Sequence, residues 1–125
     1  MKTTWKVGYL DKQRVFSSVM RGSLEHEYKT GQTTFPKVGY LFAYDSLSEA
    51  KRVARSSIGT CVVMEGRGEV VATREDIPWI VSCFLSRAEI ERFWADPSTG
   101  RDEWYTPAHT VFLSEFTPTR LVPRS

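Results

Sequence analysis

The sequence predicts an α+β fold: a mostly antiparallel sheet of about six strands with two short helices packed on it. Three observations lead there. Runs with period-two alternation, or short apolar runs of strand length, recur along the whole chain. Two segments with helical periodicity each follow a serine placed as a cap. Turn-like sequence joins most strands in pairs, so strands and helices do not alternate regularly, which favours hairpins over a parallel sheet. The 125 residues fit one domain, read as residues 1–120. A domain of this size buries roughly two thirds of its unfolded surface and needs no metal or disulfide to hold a core.

The elements follow in order. "TWKVGYL" sets Trp5, Val7 and Tyr9 on one face and Lys6 and Gly8 on the other, the pattern of a half-buried strand. Polar "DKQ" (Asp11 to Gln13) turns the chain into "RVFSSVM", completing an N-terminal hairpin. Residues 21–37, "RGSLEHEYKTGQTTFPK", contain Gly22, Gly31 and Pro36 without sustained periodicity. They read as a long loop with a short extended piece from Leu24 to Tyr28, and a loop of that length is a candidate functional surface. "GYLFAYD" is an apolar run fit for a central strand. Ser46 stands three residues before Glu49, a capping box that starts a helix with Leu47, Ala50, Val53 and Ala54 on one side and Lys51, Arg52 and Arg55 on the other. Gly59 ends the connection to the strand "TCVVME"; a parallel crossover over this helix, if formed, is right-handed.

"GRG" (Gly66 to Gly68) reads as a tight turn joining that strand to "EVVAT" in a second hairpin. Pro78 argues against a helix through "REDIPWIVSCFL", leaving a short strand from Trp79 to Phe84. Ser86 three before Glu89 caps a second helix whose apolar side is Ile90, Phe93 and Trp94, with Leu85 placed to staple onto Ile90; Asp96-Pro97 stops it. "STGRDEWYTPAH" is a polar loop, and "TVFLSEF" a last strand with Val111, Leu113 and Glu115 opposite Phe112, Ser114 and Phe116. At the end of the chain "LVPRS" (Leu121 to Ser125) resembles a protease-cleavage linker of expression origin and carries no functional weight here.

Composition narrows the function classes. With 17 Lys+Arg against 15 Asp+Glu the formal charge is +2, without the basic excess typical of nucleic-acid binders. Cys61 and Cys83 sit among apolar neighbours as buried thiols, which with the absence of a leader-like apolar run in "MKTTWKVGYL" points to a reducing, cytoplasmic setting and no membrane span. No cofactor is implied: there is no Walker loop, dinucleotide fingerprint or nucleophile elbow. No metal is implied either, since no histidine or cysteine spacing suits one.

Two constellations remain. "LEHEYK" supplies Glu25, His26, Glu27, Tyr28 and Lys29; His26 as general base, Tyr28 as proton donor and Glu27 as carboxylate are the candidate catalytic set. In an extended chain, though, Glu25 and Glu27 point away from His26 and Tyr28. His109, before the last strand, is a second imidazole that folding would have to bring to His26. The other constellation is a binding surface. Its members are Trp104 and Tyr105 in a polar loop, His109, and the basic helix face of Lys51, Arg52 and Arg55, with dispersed acids such as Glu65, Glu69 and Asp102 available for steering.

Between Trp5 and Val63 the order of features resembles that of small α+β proteins of unknown function from phage and microbial genomes. The matching marks are Tyr28 to Gly31, then Pro36, Gly39 and Ala43, then the capped run Ser46 to Ala50. That resemblance implies no activity and no catalytic residues. The reading favoured is therefore a small intracellular protein-binding module, an accessory or inhibitory protein of viral or mobile-element origin, with a protein partner ahead of nucleic acid. The alternative is a small enzyme or nucleotide-binding protein with a His/Tyr/Glu cleft beside the 21–37 loop.

Overall fold

The chain runs through β1 (Lys2–Asp11), β2 (Arg14–Ser17), β3 (Glu27–Tyr28), β4 (Leu41–Tyr44), α1 (Leu47–Ser56), β5 (Cys61–Thr73), β6 (Trp79–Ile80), α2 (Arg87–Ala95), β7 (Trp104–Tyr105) and β8 (Thr110–Leu121). These elements come from a computed structural model that describes residues 1–17, 25–56, 59–80, 87–96 and 104–123, and not the side chains of 79, 80, 87, 89, 104 and 105. The fold is the α+β arrangement expected. Six strands form one sheet in the order β3-β2-β1-β4-β8-β5, and β6 and β7 pair separately. Every pairing among the described residues is antiparallel, so the crossover over α1 is not a parallel one: β4 lies between β1 and β8, not beside β5.

The sheet closes on itself. β1 pairs with β5 from Lys2↔Gly68 to Tyr9↔Cys61, β5 pairs with β8, β8 with β4, and β4 returns to β1 at Trp5↔Tyr44. Closure gives the sheet an inside, filled by Val15, Tyr28, Leu41, Ala43, Met64, Val111, Leu113 and Phe116. Helix α1 covers one outer face, laying Ala50 and Ala54 on Val7, Cys61 and Val63. Helix α2 covers another, with Ile90 and Phe93 against Ile77 and Phe112. Its expected apolar side is thus the packed side; the cap Ser86, Leu85 and Pro97 lie outside the described residues.

"GRG" is not a turn. β5 runs unbroken through it for 13 residues, and "EVVAT" is its second half. The glycines serve close approach instead. A Cβ at Gly66 would stand 2.4 Å from the Thr117 carbonyl oxygen and 2.6 Å from the Phe116 ring; one at Gly68 would stand 2.6 Å from Leu113. With side chains removed there, Phe116 and Leu113 from β8 fill the interior. Register shifts between Glu65 and Gly66, Gly68 and Val70, and Val70 and Ala72 bend β5 around the ring. The same irregularity moves Phe116 to the side of Val111 and Leu113, overriding the simple alternation in "TVFLSEF". It also accommodates Pro118, which sits opposite Gly66 inside β8.

β1 departs from the half-buried pattern as well. Closure covers both its faces, so Thr4 and Lys6 are buried along with Val7. The hairpin to β2 forms as expected, turning through Lys12 at φ 58°. In α1 the Ser46 hydroxyl accepts from the Glu49 amide at 3.3 Å, but the Glu49 carboxylate is taken by Arg52 rather than reaching back to complete the box. Leu121 belongs to β8, opposite Met64, and the Val122 amide donates to the Val63 carbonyl at 2.8 Å. Of the strand expected from Trp79 to Phe84, Trp79 and Ile80 are described and pair with Tyr105 and Trp104, making a strand where a polar loop was expected. Among the described residues no helix is long and apolar enough to cross a membrane.

Candidate functional site

On β3 Glu27 and Tyr28 face opposite ways, as alternation suggests, while Leu24 lies outside the described residues. Glu27 faces outward to Arg14, with Oε1 2.7 Å from the guanidinium, and this pairing holds its carboxyl below the usual range. Tyr28 points inward and meets the Phe116 ring edge-on at 6.2 Å, while His26 stands beside it, half-buried, with ring centroids 6.2 Å apart. Imidazole and phenol are therefore brought together and the carboxylate is not. His109 is elsewhere: it ends the turn before β8 at φ 66° and its Nδ1 lies 3.1 Å from Asp45 Oδ1. Among the described residues no three His, Cys, Asp or Glu side chains gather as a metal site would require.

The group that joins His26 and Tyr28 is one the sequence reading placed on a solvent face. Lys6 is only 6% exposed. Its ammonium nitrogen stands 5.3 Å from the centre of the Tyr28 ring and donates to the Phe42 carbonyl on β4. Burial without an acidic partner disfavours the charged form and lowers its pKa from 10.5 to about 7. The same burial pushes the Tyr28 phenol well above its ordinary value. For His26, burial first, then the nearby charges of Lys37 and Lys6, lower the pKa to about 4. At neutral pH this inner cluster is a neutral imidazole, a neutral phenol and an amine whose charged form burial opposes. One signal in the sequence pointed to it: Thr4 and Gly8, small residues flanking Lys6 on its own face, leave room for a long side chain only where another layer covers the strand.

The basic face of α1 divides. Arg52 is bound to Glu49 at 2.5 Å and lies exposed. Lys51 and Arg55, one turn apart, line an open groove together with Ala54, Cys61, Val62, Val63, Val122 and Pro123. The groove has an apolar floor and a cationic rim. Cys61 is a buried free thiol in it, while Cys83 lies outside the described residues. Trp104 and Tyr105 are placed on β7 by their backbone pairing to β6, and Thr106 anchors that strand by donating its hydroxyl to the Ile77 carbonyl at 2.7 Å; where the two aromatic rings point is outside the described structure. Phe35, in the segment between β3 and β4, is exposed to 62% and was not singled out beforehand.

Compared with protein-family models, with curated proteins and with solved structures, the chain shows no match in any of the three.

Proposed function

We propose that the protein is a protein-binding module whose contact surface is the groove between α1, the start of β5 and the C-terminal residues. The observation that carries this reading is the pairing of Lys51 and Arg55 along one rim with an apolar floor of Ala54, Cys61, Val63 and Val122. Such a surface suits a partner segment that offers an apolar side chain flanked by carboxylates: burying the first supplies affinity, and the charges supply orientation and encounter rate. Arg52, neutralised by Glu49, contributes little to that field.

The test begins with affinity capture and identification of a partner, followed by calorimetry with that partner purified. Reversing both rim charges (Lys51→Glu with Arg55→Glu) is expected to weaken binding at least tenfold while the thermal midpoint stays within a degree or two, since neither side chain is core. Unchanged affinity would remove the groove from the reading. Trp104→Ala tests a second contact on β7: weakened binding at unchanged midpoint extends the surface, and a large loss of stability makes Trp104 core.

One observation favours a second reading, a small enzyme: His26 and Tyr28 share their face with Lys6, and His26 titrates far below its ordinary value. Against it, Glu27 is turned away onto Arg14.

A further inference from the structure

We infer, resting on the groove proposed as the contact surface, that it takes its partner by strand addition: an extended segment with carboxylates two residues apart joins the edge of β5 at Cys61 and Val63, where β8 stops short.

The register decides which way the β5 backbone faces there. β1 pairs with β5 without a shift from Lys2↔Gly68 to Tyr9↔Cys61, and the Leu10 amide donates to the Thr60 carbonyl at 2.8 Å. In an antiparallel ladder the hydrogen-bonding groups of successive residues turn to opposite edges of the strand. Thr60, Val62 and Met64 therefore turn theirs to β1, and Cys61 and Val63 turn theirs away from it. β8 occupies that second edge as far as Leu121↔Met64 and the Val122 amide on the Val63 carbonyl. Pro123 comes next and has no amide with which to continue the ladder. Among the described residues none bonds the Cys61 amide or carbonyl on that edge, and none accepts from the Val63 amide.

The groove opens at this edge. Cys61 and Val63 pack on the α1 side of β5 and Val62 packs on the interior side, yet all three line the groove. A cleft over one face of a strand meets alternate residues, so one that meets three in a row runs along the backbone. Strand groups left without partners are a template for another chain. The main chain of an extended peptide supplies the matching donors and acceptors, whatever its sequence.

The rim then selects the sequence. Lys51 and Arg55 both line the groove, and four residues along a helix is a rise of about 6 Å. Alternate side chains of an extended segment stand about 6.6 Å apart. Two carboxylates at such alternate positions match the two cations, and the side chain between them falls on the Val62 face, where an apolar group is favoured. The partner segment is accordingly acid, apolar, acid.

The probe is the peptide acetyl-Val-Glu-Val-Glu-Val-amide, titrated into the intact, isotope-labelled chain and followed by amide NMR. The Cys61 and Val63 amides are expected to shift most. Two N-methylated peptides test the backbone contact, one methylated at both glutamates and the other at the last two valines. Only one of these sets can face β5, so one peptide should bind roughly tenfold more weakly and the other less than threefold more weakly. Lys51→Glu with Arg55→Glu should weaken the unmodified peptide as well. If the charge reversal weakens binding but the two methylated peptides behave alike, strand addition is overturned and the groove stands as a contact surface. If the peptide binds and the charge reversal changes nothing, both are overturned. Absence of binding at millimolar peptide, or shifts centred away from Cys61 and Val63, overturns strand addition and leaves the groove to the test with the captured partner.

Discussion

Lys6 shows how a single side chain is redefined by its surroundings. On an open sheet, a lysine alternating with Trp5 and Val7 would lie in water. Here closure places it over Tyr28, and its pKa drops to about 7. The sign of the consequence is fixed: the unfolded chain holds a proton on Lys6 up to about pH 10 and the folded chain does not, so stability rises with pH between 7 and 10. Most proteins are already at or past their optimum in that range. Chemical denaturation at pH 7 and pH 9.5 should show a gain of a few kcal/mol, and Lys6→Met should abolish the gain while raising stability at pH 7. Above about pH 10 the buried Tyr28 phenol reverses the trend, because only the unfolded chain can release its proton. Gly66 makes a second prediction. A methyl group there would meet the Thr117 carbonyl at 2.4 Å, so Gly66→Ala should cost about 1–3 kcal/mol by overpacking. A turn glycine, in contrast, would lose its stability through φ strain, and Gly66 has no positive φ.

Helix α1 illustrates how far an element is written in its own residues. Its cap, its apolar side and its basic side follow from the spacing of Ser46, Ala50 and Ala54, and Lys51 and Arg55, and the structure uses each of them. Ser46→Ala should cost about 1 kcal/mol through loss of the amide cap, measured by urea denaturation. β5 illustrates the opposite. Two glycines around Arg67 carry the local signature of a hairpin, and β1 and β8, which pair with it on either side, impose a straight-through strand. β7 was illegible for a related reason: Trp104 and Tyr105 become a strand only because Ile80 and Trp79, distant in sequence, offer an edge.

For the whole molecule the decisive fact is that the ring is closed by pairs far apart in the chain: β1 with β5, β4 with β8, β5 with β8. Such closure requires much chain to be ordered before the last ladder forms, so folding in milliseconds to seconds, rather than microseconds, is expected in stopped-flow refolding. The C-terminal residues take part in that closure. Deleting Leu121 to Ser125 removes the Leu121–Met64 pairing and the Val122 bond to Val63, and strips one wall from the groove. The shortened chain should melt several degrees lower and bind the partner more weakly; an unchanged melting temperature would show that β8 ends, energetically, before Leu121.

By itself the sequence determined the α+β class, the N-terminal hairpin, both helices with their buried sides, and the opposed facing of Glu27 and Tyr28. All of these depend on periodicity and capping, which act within a few residues. Only the tertiary structure decided that the sheet closes, that Gly66 and Gly68 admit Phe116 and Leu113 instead of turning the chain, and that Arg52 is spent on Glu49 while Lys51 and Arg55 border a groove. It alone turned Lys6 inward. Burial is a property of what surrounds a strand, and β1's partner β5 is supplied from about fifty to sixty-six residues away, beyond the reach of any local pattern.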